Sequence, residues 1–185
     1  MQRHISHDEY DYSDLDYLLK KTATGNTEAL AHLYRITSTS VYAYALSILK
    51  NPHDAEDVLQ DCYIRIFTYA ANYQSAGKPM AWILTIARNL CRNKQQLHRC
   101  ELHLGQQDWQ QYIVDKTNAT SEDKMLIRAC LEALSEEERI IITLRSIAFM
   151  TYAEIAQYMK MPISTVLSKY HRSIKKIRKF AGEEE

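Results

Sequence analysis

Glycine and proline are scarce in this chain, four and three among 185 residues. A fold rich in tight β-turns needs more of both, so a sheet-dominated architecture is disfavoured. No apolar run approaches the roughly 18 residues of a membrane span. The N-terminus is polar and acidic and lacks the apolar core of an export signal, so the expectation is a cytoplasmic chain without membrane insertion. Cysteine is limited to Cys62, Cys91, Cys100 and Cys130, with no short paired spacing, and free thiols are expected. His98, Cys100 and His103 lack a fourth ligand and fit no common zinc spacing. The expectation is therefore no metal and no cofactor. Net charge is absent too, with 23 basic and 23 acidic residues, but the charge is unevenly placed. Asp8, Glu9, Asp11, Asp14 and Asp16 crowd the start, and no acid occurs between Ile163 and Ala181. A neutral total does not exclude nucleic acid, because a local basic stripe is what meets phosphates.

What the chain does have is apolar residues at three-to-four spacing in almost every long segment, which predicts an all-α fold. Four parts can be drawn: an acidic tail at 1–13, a helical block at 14–98, a polar linker at 99–120 and a second helical block at 121–181. In the first block Asn26 is placed to cap a helix reaching about Lys50, with Leu30, Leu33, Tyr34, Val41, Ala45 and Ile48 on its buried side. Asn51-Pro52 stops it and starts another, with Asp54, Glu56 and Asp57 in the favourable first turn. Pro79 opens a further helix through about His98. Trp109, Tyr112, Ile113 and Val114 are more than a pure spacer needs, so part of the linker is expected to dock. In the second block Ser121 is a candidate N-cap, followed by Leu126, Ala129, Cys130 and Leu134, and Ser135 with Glu138 has capping-box spacing.

The most informative stretch is Thr151–Lys179. Thr151 and Glu154 again have capping-box spacing, and Ile155, Ala156 and Met159 follow on one face. Lys160-Met161-Pro162 breaks the helix. A second helix then places Ile163, Val166, Tyr170, Ile174 and Ile177 inward. Thr165, Ser168, Lys169, Arg172, Lys175, Lys176 and Arg178 line its other side, and Ser164 and His171 join Thr165, Ser168, Lys169, Arg172, Lys175 and Lys176 as candidate DNA contacts. A basic amphipathic helix is often only a solvated face. A capped helix and a tight turn directly upstream make this the layout of a helix-turn-helix, whose second helix enters a DNA major groove.

The helix after Pro79 carries a second constellation. Trp82, Thr85, Asn89, Arg92, Asn93 and Gln96 recur along one face, flanked by Arg88 and Lys94. An aromatic, amides and cations together can stack on, hydrogen-bond and neutralise an unpaired strand. A core tryptophan with a solvated polar back is the competing reading.

Taken together, the two blocks resemble a bacterial RNA polymerase sigma factor of the extracytoplasmic-function group. Six motifs in order carry the resemblance. They are Gly25-Asn26…Ala29-Leu30…Leu33-Tyr34; Ala55-Glu56-Asp57-Val58-Leu59-Gln60-Asp61; Trp82…Ile86-Ala87-Arg88-Asn89; Leu134-Ser135-Glu136-Glu137-Glu138-Arg139; Tyr152-Ala153-Glu154-Ile155-Ala156; and Ser164-Thr165-Val166. The resemblance implies a region 2-like block, a region 4-like block and no region 3 domain. It implies that Asp54, Glu56, Asp57, Gln60 and Asp61 grip the β′ coiled coil of core polymerase, with the β flap as a further core contact. It implies that Trp82, Thr85, Arg88, Asn89, Arg92, Asn93 and Lys94 melt and read the −10 element, Asn89 lining a pocket for a flipped base. The helix-turn-helix would hold the −35 element, and an anti-sigma factor would be the regulator. Leu167 departs from the pattern, since many relatives carry Arg or Lys there and a leucine cannot make a bidentate guanine contact. No catalytic residue is implied; the polymerase does the chemistry. Two rivals remain, a stand-alone dimeric helix-turn-helix regulator and a thiol or metal sensor using Cys91, His98, Cys100 and His103.

Overall fold

The computed structural model describes residues 14–74, 77–100 and 133–180. The acidic tail, most of the polar linker and the helix expected from Ser121 lie outside these residues. The described residues form seven α-helices and a single 3₁₀ turn, with no strand among them.

The first four helices are α1 (Leu15–Ala23), α2 (Thr27–Leu49), α3 (Pro52–Tyr69) and α4 (Pro79–Cys100). Their boundaries follow local chemistry. Gly25, at φ +82°, ends α1 in a left-handed turn open to glycine. The Asn26 side chain accepts from Ala29 N at 2.9 Å and starts α2. Lys50 adopts φ 54° to close α2, and Asn51 accepts from His53 N at 2.9 Å with Pro52 at the first helical position of α3. The helix α1 is only nine residues long, too short for its apolar spacing to stand out along the chain. Leu15, Leu18 and Leu19 are buried beneath it, and it closes one end of the α2–α3–α4 bundle.

The remaining helices are α5 (Glu136–Ser146), α6 (Tyr152–Met159) and α7 (Ile163–Phe180). Both expected capping boxes form. Glu138 N donates to Ser135 Oγ at 3.3 Å while Ser135 N donates to Glu138 Oε2 at 2.8 Å. Thr151 and Glu154 repeat the pair with the same distances. Between α6 and α7 the chain turns on Lys160, at φ 55°, with Met161 N donating to Ala156 O at 3.0 Å. This is the tight turn of a helix-turn-helix.

The two halves are packed directly on each other. One apolar cluster runs from Leu15 through Val41, Ile66 and Leu84 to Ile141, Ile155 and Val166. The principal contact between the halves is α2 against α5, and Ser40 Oγ donates to Ile147 O at 3.0 Å across it.

Candidate nucleic-acid and polymerase interfaces

Three surfaces carry the polar residues singled out from the sequence. On α3, Asp57, Gln60 and Asp61 are exposed and Glu56 is half-buried. Asp54 differs from them. It is buried against α4, where Lys94 Nζ approaches its carboxylate at 3.4 Å and that of Asp57 at 2.7 Å. Hydrogen bonding to Asp57 raises the Lys94 ammonium above its ordinary range, against the opposing effect of burial. The structure thus joins two groups assigned from the sequence to separate tasks, the α3 acids and a cation of α4. The exposed acid face continues into Ile64 and Phe67, which are apolar and exposed.

On α4, Asn89, Arg92 and Asn93 project into solvent. Trp82 and Thr85 do not join them fully. Trp82 is half-buried, packs on the core and meets Tyr73 edge-on at 5.2 Å between ring centroids. The Thr85 hydroxyl donates to Ala81 O at 2.7 Å. Arg88 turns inward, its Nη1 donating to Tyr158 O at 3.2 Å in the other half of the chain.

On α7, Val166 and Ser173 are buried, and Ser164, Ser168, His171, Arg172 and Lys175 are exposed on the opposite face. Thr165 and Leu167 are half-buried. The Ser168 hydroxyl donates to Ser164 O at 2.8 Å, and Arg172 Nε donates to Ser168 O at 3.2 Å. Lys169 and Lys176 are tied to α5. Lys169 Nζ pairs with Glu137 at 2.7 Å. Lys176 Nζ donates to both Glu138 oxygens, at 3.0 and 2.8 Å, and to Ala133 O at 3.2 Å. Burial raises Glu138, but Lys176 and the Ser135 cap outweigh it and hold the carboxyl below its usual range.

Two thiols lie among the described residues. Cys62 and Cys91 are buried, and desolvation pushes both up to about 12, far from the thiolate needed for reactivity. Among the described residues no group of His, Cys, Asp or Glu could hold a metal ion. The side chains of His98 and Cys100, and all of His103, lie outside them. No described helix is long and apolar enough to cross a membrane.

Two segments match families of known function. Residues 33–99 match Sigma-70 region 2, and residues 124–177 match Sigma-70, region 4. The chain is 27% identical over 172 residues to the ECF RNA polymerase sigma factor SigK of Mycobacterium ulcerans, covering 89% of this chain and 92% of that one. It is 27% identical over 177 residues to SigK of Mycobacterium tuberculosis H37Ra, covering 90% and 92%. Among solved structures it is similar to CnrH in complex with the cytosolic domain of CnrY, at a TM-score of 0.62 and 18% identity, over 92% of this chain and 98% of that one. It is also similar to the sigma factor RpoE bound to the anti-sigma factor NepR from Bartonella quintana, at a TM-score of 0.64 and 17% identity, over 84% and 98%. With both sigma modules in order on one chain, and ECF sigma factors matched over 92% of their length, this chain belongs to the extracytoplasmic-function group of the sigma-70 family, promoter-specificity subunits of bacterial RNA polymerase.

Proposed function

We propose that the three surfaces divide the work of promoter recognition. The exposed acids of α3, with Asp57, Gln60 and Asp61 outermost and Glu56 beside them, meet cations of core polymerase. Asp54 supports that face from beneath through Lys94. The outer face of α4 receives the melted −10 strand. Asn89 reads a base, and Arg92 and Asn93 hold the strand beside it. A short amide reaches a base edge only after the base has left the stack, and Asn89 stands exposed for that contact. Trp82 serves more as the wall of this face than as a free stacking platform, because half of it is committed to the core.

The helix α7 docks in the −35 major groove. Arg172, His171 and Ser168 are its candidate base readers, and Lys175 is its phosphate contact. Lys169 and Lys176 are placed to steady α7 on α5, their charge also adding to the local field. The observation that carries this reading is the acid-free, exposed face of α7 held in a capped helix-turn-helix. A cationic helix face without that frame would serve many partners; with it, the geometry suits a DNA groove.

The chain supplies recognition and the polymerase supplies catalysis, so this subunit is proposed to be non-enzymatic and to act in the cytoplasm. Both solved neighbours are bound to a second protein, one of them named as an anti-sigma factor. An anti-sigma factor is the regulator proposed for this chain as well. Run-off transcription with purified core enzyme tests the reading. Core plus this chain should start at defined promoters that core alone ignores. A chain that shifts duplex operators by itself and confers no initiation on core would instead be a stand-alone regulator.

A further inference from the structure

The junction of α1 and α2 carries a groove that shares no residue with the three surfaces above. It has a volume of about 350 Å³, and its lining includes Tyr17, Leu18 and Lys21 of α1 and Glu28, His32 and Arg35 of α2. Helical spacing explains the arrangement. Leu18 is buried between the two helices. Tyr17 and Lys21, four residues apart, stand on the outer face of α1, and Glu28, His32 and Arg35 follow at steps of four and three on the outer face of α2. The Tyr17 ring is 58% exposed, and Lys21 Nζ lies 5.5 Å from its centroid. Lys21, His32 and Arg35 are all exposed, with Lys20 exposed beside them. Among the described residues no carboxylate forms an ion pair with Lys21 or Arg35. Glu28 is the single acid among the lining residues, so an open aromatic ring sits beside an excess of cations.

The segment Asp8-Glu9-Tyr10-Asp11-Tyr12 lies just before α1 in the chain. Its three acids and two tyrosines, with no cation among them, complement the groove in charge and in aromatic content. The tether is short. Asp11 and Asp8 are three and six residues from Asp14, spans of at most about 10 and 20 Å. Lys21 stands seven residues along α1 from Asp14, a rise of about 10 Å. The acids therefore reach Lys21 and the groove it borders. Each exposed ion pair contributes little in water. A short tether sets an effective concentration of order millimolar, so contacts too weak to hold a separate partner suffice within one chain.

We propose that residues 8–12 dock in the α1–α2 groove of their own chain, the acids on Lys21 and Arg35 and the tyrosines against Tyr17. Docked there, they keep nucleic acid out of a groove whose cations and open aromatic ring suit a single strand. The docking is independent of which promoter element each half of the chain meets. A groove covered roughly 70–90% of the time weakens a competitor for it roughly three- to tenfold. The attraction runs between exposed charges, so it weakens as salt rises.

The test uses the full chain with Cys100 and Cys130 changed to serine and a nitroxide on Ser6→Cys; Cys62 and Cys91 are buried and stay unlabelled. In isotope-labelled protein the amide resonances of Tyr17, Lys21, His32 and Arg35 should be broadened at low salt and recover at high salt. Asp8→Asn, Glu9→Gln and Asp11→Asn together should relieve the broadening. Lys21→Glu with Arg35→Glu should relieve it too, and adding Asp8→Lys, Glu9→Lys and Asp11→Lys should restore it. Lys21 and Arg35 are exposed, so these exchanges leave the core intact. Broadening that is indifferent to tail charge would overturn the docking. Broadening of an isotope-labelled chain by the nitroxide of a separate chain would give the groove to a second copy and overturn the intramolecular contact. Anisotropy of a fluorescent oligothymidine reads the consequence. Neutralising the three tail acids should tighten its binding about three- to tenfold, and Lys21→Gln with Arg35→Gln should cancel the gain. A gain that survives the loss of both cations would arise on another surface and overturn the covering role.

Discussion

Replacing Lys176 by methionine should destabilise the C-terminal half, whereas replacing Lys175 by alanine should not. The two lysines are neighbours on one cationic helix and look interchangeable along the chain. In the structure Lys176 makes three hydrogen bonds, two of them to a Glu138 side chain that is only 7% exposed. Breaking a fully buried ion pair costs about 3–5 kcal/mol, because the surviving charge is left unpaired. Lys176 itself is 42% exposed, so water screens part of the pair, and the cap bond from Ser135 N to Glu138 remains. A loss of about 1.5–2.5 kcal/mol is therefore expected, lowering Tm by roughly 4–8 °C for a chain of this size. Lys175 is exposed, and its removal should stay within about 0.5 kcal/mol. The acid limb gives an independent check. Glu138 is held below its ordinary value of 4.5, so its contribution is complete above about pH 4.5 and disappears as pH falls through its folded range. The difference between the unsubstituted chain and Lys176→Met should shrink over that same range. Thermal unfolding at pH 7 and near pH 3.5, with promoter binding by holoenzyme at several salt concentrations, reads both effects. Lys175→Ala should reduce the salt slope by about one, and Lys176→Met by less. Equal slopes with unchanged stability for Lys176→Met would refute its bracing role.

Asp61→Lys should weaken core polymerase retention in a pull-down without changing stability, since Asp61 is exposed. Asp57→Lys should also lower stability, because it puts a cation against Lys94. Asn89→Ala should impair open-complex formation at one −10 position while sparing core binding, on both duplex and premelted templates, read by permanganate footprinting. Arg172→Ala should relax −35 preference at one position by roughly 1–3 kcal/mol; a uniform loss over all sequences would make it a phosphate contact. Cys62 and Cys91 should resist maleimide at pH 8 in the folded protein, given thiols pushed up to about 12, and react once it is unfolded in urea.

The sequence by itself determined the helical fold class, the turn chemistry and the location of the recognition helix. Those are local matters. Ser135 with Glu138 and Thr151 with Glu154 lie three residues apart, Asn51-Pro52 is a contiguous stop and start, and the acid-free run after Ile163 is a property of one segment. The helix α1 was not legible, because nine residues from Leu15 to Ala23 make too short a periodic signal and its leucines find their purpose only against the bundle. What each polar side chain is free to do was decided by tertiary packing. Asp54 and Asp57 share a helix turn, but only the approach of α4 turns Asp54 inward onto Lys94. Lys175 and Lys176 differ only because α5 passes beneath one of them. The Tyr158 hydroxyl is hydrogen-bonded to Tyr44 and Leu84, 114 and 74 residues away, and no spacing rule reaches across such gaps. Hydrophobic periodicity reports which face of a helix is buried, and only the folded chain reports which partner it is buried against.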